Sequence, residues 1–502
     1  MAPKLSSPTR PLSPASPKSH TTVRAFTALL VLALLWHLWS FSQRISVGPA
    51  TDPAAAAPSP PPTKPDTTPP TTNPEYETPN CAHPVAGMQD VYVVLKTGIA
   101  EHTSKLPVLF NTTLQCVPRY GIFSDYPESV DGHTVADALE DVDEALKFTQ
   151  QDFELYNRLQ RGGGRDALSK DELEAPNTKP EQDEKKDTPG KRLDKWKMVP
   201  LVDRAVRIAP DAKWFVFIEP DTYVLWANLA EWLERFDHRS PWYLGEPEQV
   251  GAEVVAHGGA GIVLSAEAAR RVSEFRRQHS DRVEQLTADQ PTSSAALGKV
   301  LAEVGVPLTW AWPNLQSGRL SKLDWSEKRE EFGRLWCHRA VSYHGLSTEE
   351  IEYMHAVEED AASSGTPLTH HRHVFQDFVM SQLASLKPRW DNHADRKTFR
   401  KLTKKGLKIG KPIKTYGDCR LECDQYGNCI SFSWIGKECR FSTQFQLGQR
   451  NETGGMGGKE LTSGFMMDRV DWMVRWLEDE PCKEREDWVL PVPVEGDDGD
   501  ED

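Results

Sequence analysis

The chain has 502 residues, with 59 Lys and Arg against 74 Asp and Glu and a formal net charge of −15. That balance argues against nucleic acid or an anionic membrane face as the main partner. The length exceeds one small module and allows a large core. Residues 1–24 form a Pro- and Ser-rich leader with Lys4, Arg10, Lys18 and Arg24 and no acidic residue. Residues 25–41 (AFTALLVLALLWHLWSF) carry no charge and fall at the short end of the roughly 17–25 residues that span a bilayer. The basic flank places that side in the cytoplasm. The expectation is a single-pass type II signal anchor. Trp36, His37 and Trp39, with no small-x-small site, argue against a cleaved signal peptide. Residues 42–80 are Pro-, Thr- and Ala-rich, an extended stem with candidate O-glycan acceptors. All eight cysteines follow it, at 81, 116, 337, 419, 423, 429, 439 and 482. An even count beyond an anchor points to disulfides in an oxidising lumen, with the pairing open. Sequons at Asn111 and Asn451 fit the same side.

Strand signals follow at 91–95, ending in Lys96-Thr97-Gly98, and at 121–123, ending in Ser124-Asp125. Helical patterns are read at 135–147 and 200–208, and the polar stretch 162–191 is read as a mobile, disordered insertion. The apolar run 214–218 suits a strand buried on both faces. It ends in Glu219-Pro220-Asp221-Thr222-Tyr223-Val224. Residues i and i+2 of a strand share a face, so Glu219 and Asp221 are expected to face one site at the carboxyl edge of an α/β sheet, where ligands bind. Two such acids suit a hard divalent cation able to hold a diphosphate; the plainer alternative is a polar strand exit. Leu229, Trp232, Leu233 and Phe236 recur at helical spacing, followed by the strand signals YLG at 243–245 and HGGAGIVLS at 257–265. Strands alternating with helices mean α/β with a largely parallel sheet.

The order KTG, FSD, WFVFIEPDTYV, YLG, HGGAGIVLS and WCHRAVSYHG resembles glycosyltransferase family 31, and within it the fungal relatives of Fringe and of the core 1 β1,3-galactosyltransferase. The resemblance covers about residues 81–354 and implies a GT-A domain, placed at 81–395. It implies a UDP-sugar donor, with UDP-galactose favoured, Mn²⁺, and inversion to a β-linkage, typically β-1,3. Asp221 takes the metal-binding last position of the family's acidic motif, while Pro220 replaces the middle acid; His344 matches the histidine that completes the metal sphere. Asp289 is the nearest match to the catalytic base, with Glu284 as a fallback. The donor site takes Lys96, Thr97, Gly98, Asp125, Lys197, Glu219, Tyr223, Gly258, Gly259 and Gly261, with Lys195 beside it. Trp310 and Trp312 are candidates for an aromatic wall at the acceptor.

The spacing C-x3-C-x5-C-x9-C from Cys419 to Cys439 resembles a PAN/apple module over 407–467. Zinc is the competing use of such spacing; the oxidising compartment and the absence of a CxxC pair weigh against it. Such modules bind protein or carbohydrate. Residues 468–502 form a C-terminal segment with an acidic tail. The expected protein is a Golgi or ER/Golgi glycosyltransferase acting on a glycan or glycoprotein. The competing reading is an inactive relative serving as a glycan-binding adaptor or a chaperone.

Overall fold

Eight strands form the main sheet: β1 Val91–Lys96, β2 Tyr120–Ser124, β3 Glu128–Val130, β4 His133–Asp137, β5 Trp214–Ile218, β6 Tyr243–Gly245, β7 Ile262–Ser265 and β8 Leu308–Trp310. This is a computed structural model, and it describes residues 81, 83–174, 187–404, 407–451, 460–483 and 486–490. The candidate anchor, the stem and the acidic tail lie outside them; among the described residues no helix is long and apolar enough to cross a membrane.

The strand order is β8-β6-β7-β5-β1-β2-β4-β3. β7 and β3 run against their neighbours, and the other strands are mutually parallel. Every residue of β1 and β5 is buried, as a sheet covered on both faces requires. The helices that cover it are α1 His102–Phe110, α2 Pro189–Asp194, α3 Met198–Ile208, α4 Trp226–Leu233, α5 Ala266–Gln278, α6 Ser280–Ala288, α7 Ser293–Glu303 and α8 Thr348–Ser363. The two-residue alternation of strand side chains sorts the core. Val91, Val93, Leu95, Val216 and Ile218 pack with α1, α4 and α8. Tyr92, Val94, Phe215 and Phe217 pack with α3, α5 and α7 on the other face. The expected α/β architecture with a largely parallel sheet is what the chain adopts.

Three expectations on the chain's organisation change. Val135 lies in β4, and the helix expected over 135–147 shrinks to Glu144–Thr149, because pairing with β2 overrides the local pattern. The stretch 162–191 is not wholly disordered: Gly164–Ala167 and Lys170–Glu174 are helical turns, and Pro189 already begins α2. Arg165 of that stretch donates to Ile99 O at 2.9 Å; residues 175–186 lie outside the described residues.

The third change concerns the cysteine-rich module. Its sheet has the order Lys387–Pro388, Leu461–Phe465, Ser431–Ile435, Glu438–Ser442, Lys397–Phe399. It therefore starts before 395, where the first domain was expected to end. The disulfides Cys419–Cys439 and Cys423–Cys429 are buried with Phe432 and Phe441, a covalent core suited to a unit too small to bury a large one. The segment after it is not a separate appendage. Val470, Met473 and Leu477 of the helix Met467–Asp479 join the main core, and Cys482 bonds Cys337. Trp232 Nε1 donates to Val489 O at 2.9 Å. The fourth disulfide is Cys81–Cys116.

Candidate functional site

Several strand ends meet at one edge of the sheet. The parallel strands β1, β5, β6 and β8 finish there in Lys96, Ile218, Gly245 and Trp310, and antiparallel β7 begins there after Gly258–Gly261. Residues 219–222 leave β5 in a turn that Thr222 closes. The Thr222 amide donates to Glu219 O at 3.0 Å, and its hydroxyl accepts from Glu219 N at 3.3 Å while donating to Gly259 O at 2.8 Å. Glu219 and Asp221 thus share a side through a turn, not through strand alternation. Pro220 holds the second position of that turn, where its fixed φ is favoured.

Tyr223–Val224 then pairs antiparallel with Ser342–Tyr343, and Leu346 N donates to Asp221 O at 3.1 Å. This pairing carries His344 to the acids. Its Nε2 lies 3.4 Å from Asp221 Oδ1 and 3.9 Å from Glu219 Oε2, and one ligand atom from each residue falls within 4.8 Å of the others. Nδ1 faces Ser317 O at 3.4 Å, so a neutral ring donating there leaves the Nε2 lone pair for a cation. Burial opposes a charge on His344, but Asp221 and then Glu219 raise its pKa to about 9. Burial likewise pushes Asp221 upward, and His344 followed by Lys105 outweighs it, holding the carboxyl well below the usual range. Two carboxylates and an imidazole nitrogen fit a divalent ion such as Mn²⁺.

The glycines serve this cluster. A Cβ on Gly259 would run into the His344 ring, one on Gly258 would lie 3.5 Å from Glu219 Oε1, and Gly261 has a φ of 95°. Two lysines flank the acids: Lys96 Nζ is 3.0 Å from Glu219 Oε1, and Lys105 Nζ is 3.5 Å from Asp221 Oδ2. Lys105 escaped the sequence reading, although Glu101 one turn before it, now 2.7 Å away, was a signal of an ordered helix face.

Behind the acids lies a charge network in which Lys96, Asp125 and Lys197 are buried and Asp194 is partly exposed. Lys96 Nζ meets Asp194 Oδ1 and Oδ2 at 2.8 and 2.7 Å, and Ser293 Oγ donates to Asp194 Oδ2 at 2.9 Å. Lys197 Nζ lies 2.6 Å from Asp125 Oδ1 and donates to Thr97 O at 2.9 Å. Burial alone would discharge these groups; instead the lysines are raised by their acids, and Asp194 is lowered by Lys96 and Lys197. Asp194 was not singled out from the sequence.

Several expected site residues are placed elsewhere. Asp125 and Lys197 are buried against each other, and Asp125 Oδ2 also accepts from Ile99 N at 3.0 Å; this pairing braces the strand ends beside the site. Gly98 makes room for that carboxylate, a Cβ there lying 3.2 Å from Asp125 Oδ2. Thr97 is buried and offers Lys197 its carbonyl. Lys195 turns to Asp152 at 2.7 Å and Ala288 O at 3.1 Å. Tyr223 points away from the acids, its hydroxyl donating to Glu358 Oε2 at 2.5 Å. Trp312 is core, with Arg329 over its ring at 3.7 Å, whereas Trp310 is 40 % exposed and stacks on Phe332. Glu284 lines a small separate cavity with Trp196 and Arg276. Asp289 is exposed at the end of α6, on the rim beside the Ala288 carbonyl that holds Lys195.

One carboxylate absent from the sequence reading stands closer in. Glu246 follows Gly245 at the end of β6 and is 7 % exposed. Its Oε2 accepts from Ser317 N, and the carbonyl of the same residue faces His344. Burial, only partly offset by Ser317 and Arg329, lifts its pKa to about 7.

Residues 191–360 match the family model described as Fringe-like. The matched stretch holds Glu219, Asp221, Glu246, the glycines and His344, and the match supports a Fringe-like glycosyltransferase.

Proposed function

We propose that the chain is a type II membrane glycosyltransferase of the Golgi. It transfers a sugar from a UDP-sugar, UDP-galactose favoured, to a glycan or glycoprotein with inversion, forming a β-1,3 linkage. The observation that carries this reading is the convergence of Glu219, Asp221 and His344 at the carboxyl edge of the sheet. The same convergence favours an enzyme over an inactive adaptor or chaperone.

Glu219, Asp221 and His344 would hold a divalent ion, preferably Mn²⁺. When bound, that ion offsets the charge that builds on the departing diphosphate. Lys105 and Lys96 add positive charge beside it, and Gly258–Gly261 let the donor sugar approach the backbone. Single displacement needs a base opposite the leaving group. Glu246 suits that role better than Asp289: it is enclosed, it shares Ser317 with His344, and its carboxyl titrates near neutrality. The exposed face of Trp310 offers a stacking surface for the acceptor sugar. The disulfide-stapled module is read as PAN/apple-like, holding acceptor glycoproteins by protein or carbohydrate contacts.

The test incubates the folded lumenal fragment from about residue 75 with Mn²⁺ and a panel of UDP-sugars, following UDP release with and without sugar acceptors. Release from one donor, abolished by EDTA and by Asp221→Asn and raised by an acceptor, is expected. A folded sample releasing UDP from no donor, or an Asp221→Asn variant with normal turnover, overturns the reading.

A further inference from the structure

The side of Tyr223 that turns from the acids opens on a cavity of about 490 Å³. Small-molecule sites are typically of this size, roughly 300–1,000 Å³. Its polar groups come from separate parts of the chain. Tyr223 Oη meets Glu358 Oε2 at 2.5 Å and His355 Nδ1 at 3.4 Å, both on α8. Thr113 belongs to the wall, 2 % exposed and with its Oγ1 shut off from the cavity. Apolar walls are given by Val224, Trp226 and Leu368.

The charges narrow the ligand class. No Lys or Arg lines the cavity, so no permanent side-chain cation there favours a phosphate. Of its four acids, Glu231 meets Arg339 at 2.8 Å, Glu359 meets His83 at 3.7 Å and Glu358 accepts from Tyr223, while Glu234 is exposed. What remains is a set of hydrogen-bonding groups beside apolar wall, the pattern that hydroxyls on a hydrocarbon ring satisfy.

We propose that this cavity binds a neutral, hydroxyl-rich molecule of monosaccharide size, at a site separate from the acid–histidine cluster. His355 contacts its hydroxyls, and Glu358 accepts from one of them. The site backs directly on the metal-ligand segments, because Tyr223 lies two residues after Asp221 and pairs with Tyr343, next to His344.

The test is saturation-transfer NMR on the folded, disulfide-bonded chain with galactose, N-acetylgalactosamine and spermidine as separate probes. Transfer to a sugar is expected, unaffected by UDP and Mn²⁺. Glu358→Gln is expected to weaken it about tenfold, and Ala362→Trp, which fills the cavity from its wall, to abolish it. Mn²⁺-dependent UDP release should persist in Glu358→Gln. Transfer to spermidine alone, transfer displaced by UDP with Mn²⁺, or sugar transfer unchanged in Glu358→Gln overturns the proposal. If Ala362→Trp does not fold, Glu358→Gln decides. Because Glu358→Gln leaves the acid–histidine cluster intact, a loss here is distinguishable from a failure of the transferase reading.

Discussion

The backbone of Gly259 lies against the imidazole of His344, with no room for a Cβ between them. Thr222 fixes that approach from the other side by donating to the Gly259 carbonyl. Gly259→Ala therefore has to displace the ring from Asp221. Mn²⁺ affinity is expected to fall about 10–100-fold, the usual cost of disturbing a ligand's support, with little change in the far-UV spectrum. Titration calorimetry with Mn²⁺ measures it, and unchanged affinity would remove His344 from the metal site.

The two candidate bases separate by mutation. Glu246→Gln is expected to lower kcat by about 10²–10⁴-fold, the range for a lost general base, while leaving Mn²⁺ affinity and the donor KM in place. Wild-type kcat should rise with pH through about 7 as Glu246 ionises, and the variant should lack that limb. Asp289→Asn, on the exposed rim, is expected to change kcat only a few-fold. The reverse ranking would return the base to Asp289.

Glu358 gives the fold a pH dependence of its own. Burial is the main cause of its pKa rising from 4.5 to about 7; the Tyr223 hydroxyl opposes the rise and neighbouring Glu359 adds to it. The folded state therefore keeps a proton that the unfolded chain releases above about 4.5. This contribution favours folding at low pH and is lost as pH rises through 7. Glu358→Gln, which cannot ionise, should gain melting temperature relative to wild type at pH 8 but not at pH 4. An equal effect at both values would show that the carboxyl is not desolvated.

The Cys337–Cys482 bond closes a loop of 145 residues. Replacing both cysteines by Ala is expected to cost about 2–5 kcal/mol of stability, chiefly by freeing the unfolded chain. Denaturant titration measures this, and the module's own transition should move less than that of the main domain.

What could be read from the residues was local. The unbroken apolar runs of β1 and β5 and the acids that follow β5 carry their own signal. The strands Tyr223–Val224 and Ser342–Tyr343 are only two residues long and too short for any periodicity, so the direction of Tyr223 was invisible. The same holds for Lys387–Pro388, whose partner is Leu461–Phe465; the module therefore seemed to start later than it does. Asp125 and Lys197 were each read from the sequence as donor-site residues. That each neutralises the other depends on α2 and α3 closing over them, and no local pattern records that.

The return of the helix Met467–Asp479 and of Cys482 to the first domain also sets an order of events during synthesis. At about 5–20 residues per second, Cys337 waits roughly 7–30 s for its partner, 145 residues later, to leave the ribosome. In that interval all four cysteines of the module emerge, and each is a possible wrong partner. Their correct bonds close loops of only 20 and 6 residues, so they can form first and withdraw those thiols. The early closure of the small module thus protects the oxidation of the large domain that surrounds it in sequence.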